Sequence, residues 1–364
     1  MVRTAWRCSA AFALLLCLQA GLQGKDKNPS PANKMNKQLF SAAVEREPKT
    51  GWGVTVLKYT DPGDAARNLE ARVAPEAGSN LYSLKIGGTE LLVPPAEWGT
   101  TPSLRYGFPV LFPTPNRVRD SKFTFDGQTY TFPANERTHF IHGLVHKLPW
   151  RAGAISADAK SASMETYLDW DSTQPDFKLF PIKHRLSLRF ILDAHGVKLT
   201  FTVDNQDAKR LPFGFAFHPW FQILGSRADT YLRVPAQKHM EAEGLLPTGK
   251  LAALAGAPYD LREPVSLEAL KLDDVYWGLT PERVPGYEVR DKGIKVSLRG
   301  SPEFTHMVVY TPPGKAFFCM ENQTCSTDAH NLYAKGLEKE AHLLIAEKGQ
   351  KVSGWVYVGV ERKP

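Results

Sequence analysis

The 364-residue chain contains only four cysteines, no late apolar run long enough to cross a bilayer, and no large excess of either charge. Each shortage excludes a class. A small disulfide scaffold needs cysteines at high density. A spanning helix needs about 20 consecutive apolar residues, and a nucleic-acid footprint needs a basic stripe. Here 45 Lys and Arg face 38 Asp and Glu, a net charge of +7 scattered along the chain, so neither a membrane span nor a nucleic-acid partner is expected. No Gly-rich loop follows any candidate strand, which excludes the phosphate cradle of a nucleotide cofactor. Apolar material is plentiful: 43% of residues are hydrophobic and 11% aromatic, ample for a large core and too much for disorder.

The first residues are set apart from the fold. Arg3 and Arg7 precede the apolar run Ala10–Leu18, and Ala20, Gly21 and Gly24 follow it, the pattern of a secretory signal peptide over residues 1–24. Cys17 follows Leu16 instead of a small residue, which favours simple cleavage over a lipid anchor. Removing this segment takes away two arginines and no acid, which lowers the net charge from +7 to +5. A secreted or periplasmic protein is expected. Residues 25–38 include KDKNPSPANKMNK, polar and proline-containing, and read as a flexible linker. Cys319 and Cys325 remain, and they can pair only if Asn322–Thr324 folds back enough to bring their Cα atoms within about 7 Å.

Residues 39–364 read as one all-β domain, a large antiparallel β-sandwich. Short alternating runs separated by turn signals recur to the end, and helical spacing is confined to Leu267–Leu272 and Ala334–His342. Three hairpins are expected. Lys122–Phe125 and Gln128–Phe132 flank Asp126-Gly127, a pair suited to the positive φ of a two-residue turn. Leu186, Leu188 and Phe190 alternate before Asp193–Gly196, and Val197, Leu199, Phe201 and Val203 alternate after it. The third joins His342–Ala346 to Val352–Val360 through Glu347–Gln350.

Several residues have the chemistry of a site. In Leu211–Phe221 (LPFGFAFHPWF), strand alternation places Phe213, Phe215 and Phe217 on one face and Gly214, Ala216 and His218 on the other. A histidine beside two small residues has room to meet a ligand. Glu321 ends the apolar segment AFFCMEN, where desolvation raises a carboxyl pKa toward the range useful for proton transfer. Arg117 and Arg119 in PNRVRD offer forked donors to hydroxyls or phosphate. Asp273-Asp274-Val275-Tyr276-Trp277 combines acids with aromatics, a composition suited to sugar hydroxyls and sugar faces. His139, His142 and His146 have a metal-like spacing, but Gly143 and Pro149 mark a loop and no matched fourth ligand is evident, so no metal is expected. His142 reads as a turn histidine near a ligand, and His139 and His146 as surface residues. Asn322-Gln323-Thr324 fits a glycosylation acceptor; a glycan there would obstruct Glu321, so it is expected to be unmodified.

The order PNRVRD, Asp-Gly hairpin, IHG, FHPWF, LLPTGKL, DDVY, CMENQT resembles the aldose 1-epimerase (galactose mutarotase) family over residues 50–360. The resemblance implies the galactose-mutarotase-like sandwich, a free sugar as substrate and no cofactor. It implies Arg117 as a substrate-binding arginine, His142 as the first active-site histidine, His218 as general acid, Glu321 as general base, and as the sugar-binding aspartate Asp273 or Asp274, with Asp273 ranked first by its D-x-x-Y spacing to Tyr276. Trp220 or Trp277 would pack on the ring. Two features depart from the usual pattern or lean to another branch. His142 is followed by Gly143-Leu144 where two glycines are common, and GFPVLFP with HGLVHKLPW is similar to the hexose-6-phosphate 1-epimerase branch, in which Arg105 would hold the phosphate. A secretory leader fits free aldoses better. In the implied reaction Glu321 and a protonated His218 act from opposite sides, with a bell-shaped pH dependence. A non-catalytic carbohydrate-binding module is the alternative of another class.

Overall fold

The computed structural model describes residues 38–363. The expected leader, and all but the last residue of the expected linker, lie outside the described residues. Strands dominate, and they form antiparallel ladders in three main sheets of five, nine and eight strands. The expected all-β antiparallel sandwich is what the chain forms. Among the described residues no helix is long and apolar enough to cross a membrane.

The nine-stranded sheet is built on long alternating strands. His184–Asp193 and Gly196–Asn205 form the expected hairpin, with Asp193 opposite Gly196. Leu186, Leu188, Phe190, Leu199, Phe201 and Val203 are all buried, because a period of two gives every second side chain to one face. The core-facing residues of the eight-stranded sheet meet them. Phe215 stacks on Phe201 at 4.3 Å between centroids, Phe318 packs edge-on against Tyr287 at 5.0 Å, and Asn322 donates to the Leu298 carbonyl. Each such aromatic contributes about 1.5–3 kcal/mol by leaving water.

This packing fixes which side of the eight-stranded sheet is left for a site. In the strand Phe317–Gln323, Phe318, Met320 and Asn322 point to the core, so Cys319, Glu321 and Gln323 point away from it. Its neighbour His306–Tyr310 behaves alike, with Met307 and Val309 inward and Val308 and Tyr310 outward.

Local expectations fare unevenly. The Asp126-Gly127 hairpin forms, with Phe125 opposite Gln128 and both turn residues at positive φ. The third hairpin does not. Leu344–Ala346 pairs with Leu211–Phe213, whereas Lys351–Arg362 lies between Gly196–Asn205 and Ile294–Gly300 in the nine-stranded sheet. The buried amide of Asn205 donates to the carbonyls of Ala346 and Glu347, pinning the connection where the chain changes sheets. The helical spacing at Ala334–His342 resolves into Ala329–Ala334 and Glu338–Ala341, split at Gly336 with φ 78°. Leu267–Ala269 is a single 3-10 turn. Cys319 and Cys325 are free and buried; an extended strand separates them, and Cys325 instead packs against Gly214. Asn322 of the glycosylation motif is buried.

Candidate active site

The outward face of the eight-stranded sheet floors a cavity of about 220 Å³ lined by His218, Trp220, Asp273, Tyr310 and Glu321, and closed from above by Asn116, Arg117, His142, Leu104 and Arg105. The floor comes from strand alternation. Leu211–Phe221 is broken into the strands Leu211–Phe213, Ala216–Phe217 and Trp220–Gln222. Its backbone stays extended against the Gly107–Pro113 segment: Gly214 donates to Pro113, His218 to Pro109 and Trp220 to Gly107. Phe213, Phe215 and Phe217 therefore enter the core, and Ala216 and His218 face the cavity side.

The upper wall depends on a short ladder in which Ile141 pairs with Arg117. The chain then turns through His142 and Gly143, both at positive φ, 71° and 69°. Gly143 is required twice over: its φ suits glycine, and an added Cβ would lie 2.2 Å from the Phe112 carbonyl oxygen. That turn aims His142 at His218, edge to face with centroids 5.1 Å apart.

Nε2 of His218 lies 3.2 Å from Oε1 of Glu321, and both side chains are almost wholly buried. The other carboxylate oxygen of Glu321 accepts from Nε2 of Gln323 at 3.0 Å. The pair is thus adjacent, in direct contact on the cavity floor. Burial disfavours charge on both partners. It pushes His218 down to about 4 and holds Glu321 well above the usual carboxylate range, with the nearby Asp273 adding to the rise. Burial thus disfavours a charged imidazole and a charged carboxylate alike. His142 is also held well below its ordinary value, by burial first and then by His218, His146 and Arg117.

Arg117 is anchored by a bidentate pair with Glu136 at 2.7 and 2.8 Å and touches Asn116 Oδ1 at 3.2 Å. Asp273, opposite Tyr310 in the ladder, has its carboxyl pushed up by burial while Arg117 opposes the rise. Asp274 is committed elsewhere, to Nε2 of His239 at 2.7 Å. Arg105 is exposed at the rim and forms no ion pair among the described residues. Trp220 lies parallel to the His218 ring at 5.2 Å, with its buried Nε1 unpartnered among the described residues.

Trp277 is not at the cavity. It shares a strand face with Asp273 but sits four residues along, about 13 Å at the rise of a strand, where it packs in a separate apolar cluster with Met240 and Leu337 and donates to the Lys339 carbonyl. His146 is not a surface residue either: it is 3% exposed, and burial lowers it to about 4. The three loop histidines do not gather as ligands. Among the described residues the set whose ligating atoms do gather, all within 4.8 Å, is His218, Cys319 and Glu321. Sequence reasoning missed Glu136, Asn116, Tyr310 and Gln323. Only Gln323 left a signal, two positions after Glu321 and hence on the same strand face.

Comparison with known proteins finds the family described as aldose 1-epimerase matching residues 65–356. Galactose mutarotase of Rattus norvegicus is 26% identical over 161 residues, covering 42% of this chain and 44% of that protein. An uncharacterized protein of Escherichia coli K12 is 30% identical over 167 residues, 44% of this chain and 50% of its own. The matched stretch thus spans about half the length of these curated relatives. A galactose mutarotase-like protein from Clostridium acetobutylicum has the same fold, with a TM-score of 0.79 at 22% identity over 89% of this chain and 99% of its own.

Proposed function

Because the chain belongs to the aldose 1-epimerase family, we propose that it is an isomerase that interconverts the α and β anomers of a free aldohexose without a cofactor, by proton transfer through His218 and Glu321. The observation that carries this reading is their 3.2 Å contact on the floor of a polar cavity. The hydroxyl oxygen and the ring oxygen of a pyranose are bonded to the same anomeric carbon. An acid for one and a base for the other can therefore be neighbours, as these two are.

With the proton on Glu321, the cycle closes without outside help. Glu321 protonates the ring oxygen as its bond to C1 breaks; Nε2 of His218 takes the proton of the C1 hydroxyl as C1 becomes a carbonyl. Rotation about C1–C2 presents the other face. The freed hydroxyl then attacks C1, returning its proton to Glu321, while His218 returns its proton to the carbonyl oxygen. This reverses the roles that the family resemblance implies, in which Glu321 takes the proton of the C1 hydroxyl and a protonated His218 serves the ring oxygen. Neutral His142, Arg117 and Asp273 hydrogen-bond the sugar, and Trp220 packs beside it.

The test is optical rotation against time for freshly dissolved α-glucose, α-galactose and α-glucose 6-phosphate, with and without the chain. Acceleration of the free sugars is expected. Arg105, exposed at the rim without an ionic partner among the described residues, favours a second reading as a hexose-6-phosphate 1-epimerase, for which the phosphate ester alone would respond. No acceleration of any sugar would leave a carbohydrate-binding module. The leader-like first 24 residues add the proposal that the enzyme works outside the cytoplasm; sequencing the N-terminus of the exported chain checks it.

A further inference from the structure

We propose that the floor of this cavity is also a binding site for a zinc-class divalent cation, held by Sγ of Cys319, Nε2 of His218 and the carboxylate of Glu321, and that the bound ion arrests turnover. The residues reach one point for a simple reason. Cys319 and Glu321 are two positions apart on one strand and share its outward face, and Trp220 pairs with Cys319 in the ladder, bringing His218 alongside.

The nitrogen–oxygen separation suits a tetrahedral ion directly, and the thiol reaches it by closing to about 3.5 Å from the other two ligands. All three ligating atoms lie within 4.8 Å of one another, and the nitrogen-to-oxygen separation is 3.2 Å. Nitrogen and oxygen ligands about 2.0–2.1 Å from a tetrahedral zinc are themselves about 3.3 Å apart. A thiolate, an imidazole and a carboxylate form a set that selects zinc over magnesium or calcium. One thiolate and one carboxylate offset the dication, so a neutral assembly sits in a buried place. The nearby arginine does not oppose it, since Arg117 is paired with Glu136. His218 and Glu321 line the cavity together with Asp273, and Cys319 is buried beside them. Cys319 has no role in the proposed proton relay and forms no disulfide.

Binding forms one metal–sulfur, one metal–nitrogen and one metal–oxygen bond. It releases to solvent the thiol proton of Cys319 and the single proton of the His218–Glu321 pair, with no change of oxidation state. Ion and substrate therefore compete for the same two groups. The arrest of turnover rests on the proposed reaction, whereas the binding does not.

The experiment titrates the full chain, stripped with EDTA and dialysed, with Co²⁺ and then Zn²⁺. One equivalent of Co²⁺ should give a near-ultraviolet thiolate-to-cobalt charge-transfer band and the intense visible absorption of a four-coordinate site, both removed by Zn²⁺. In polarimetry Zn²⁺ should slow mutarotation and EDTA restore it. Cys319→Ser should lose the band and need at least about tenfold more Zn²⁺ for the same fractional inhibition, measured against its own zinc-free rate. Absence of the band in the unaltered chain, or an unchanged band in Cys319→Ser, would overturn the proposal without relying on how the variant folds. A band in a chain that accelerates no sugar would sink the proposed reaction and leave the metal site standing.

Discussion

The acid limb of the rate profile tests the one-proton relay most directly. An exposed histidine gains its charge near pH 6.5, but burial moves His218 down to about 4 and Glu321 upward. Because the two touch, the protons leave in steps that belong to the pair. The working form holds one proton. Acidification removes it by adding a second proton on the imidazole near pH 4; alkalinisation removes it by stripping the only proton, above the usual carboxylate range. With the acid limb at about 4, about 90% of the pair is still working at pH 5; with a limb at 6.5 only about 3% would be, a difference of about thirtyfold in kcat/KM. The assay is the initial rate of rotation of fresh α-galactose at constant ionic strength, with the spontaneous rate subtracted at each pH because acid and base open the ring unaided. Nearly constant kcat/KM from pH 7 to pH 5 is expected. A fall of about 25-fold over that span would refute the reasoning, since it would mean that the essential histidine has an ordinary environment. Glu321→Gln keeps the shape and removes the transferable proton, so it should cut turnover by about 10²–10⁴-fold while leaving sugar binding, read by calorimetry, within a few-fold.

The remaining predictions concern placement and stability. Trp220→Ala should raise KM by removing a wall of the cavity, whereas Trp277→Phe should leave KM unchanged and lower only the melting temperature; a KM change in Trp277→Phe would return that residue to the site. Gly143→Ala meets both a positive φ and the Phe112 carbonyl, so it should cost about 1–3 kcal/mol of stability and lower kcat through displacement of His142, read by urea unfolding and polarimetry together. Acid should destabilise the fold well before pH 4. His146, His184, His218 and His330 lie near 4 and His306 near 3, all below the 6.5 of an unfolded histidine. The unfolded chain therefore takes up protons first, so their stability is fully present above about pH 6.5 and is lost as pH falls toward 4. The raised carboxyls of Glu321, Asp273 and Asp328 act in the opposite sense, but they are three groups against these five histidines and His142. Urea unfolding at pH 5 should fall short of pH 7 by several kcal/mol; equal values would show that these rings are not neutral and buried.

How much of this was legible in the sequence follows from what alternation encodes. A period of two states which face a side chain takes, and that is why His218 beside Gly214 and Ala216 could be assigned to a ligand side from residues alone, whereas Glu321 was reached through the apolar segment it ends. The assignment survives even where the strand does not: Leu211–Phe221 breaks into three pieces, yet its extended backbone keeps Phe213, Phe215 and Phe217 in the core. Alternation says nothing about who stands opposite. The Arg117–Glu136 pair joins residues 19 apart through a ladder of two residues per strand, too short to leave a pattern. Trp277 shows the same limit, since it obeys the face rule with Asp273 and still fails the site by distance along the strand. His146 fails for another reason: a loop sequence looks solvated, but its backbone closes over Gly78, where an added Cβ would lie 2.1 Å from the His146 carbonyl oxygen, and the ring is buried with it.

The contact between His218 and Glu321 lies deepest beyond sequence, because it joins residues more than a hundred positions apart on neighbouring segments of one sheet. It also sets the chemistry. Had the two groups been exposed, each would have titrated alone, with the histidine near 6.5 and the carboxyl near 4.5, and at neutral pH both would have been without a proton to give. Burial moves the two in opposite directions, the imidazole down and the carboxyl up, and the proposed cycle needs one proton between them. The same desolvation that makes the pair costly to fold therefore makes it an acid and a base at once, which is what a reaction that only moves protons around one carbon requires.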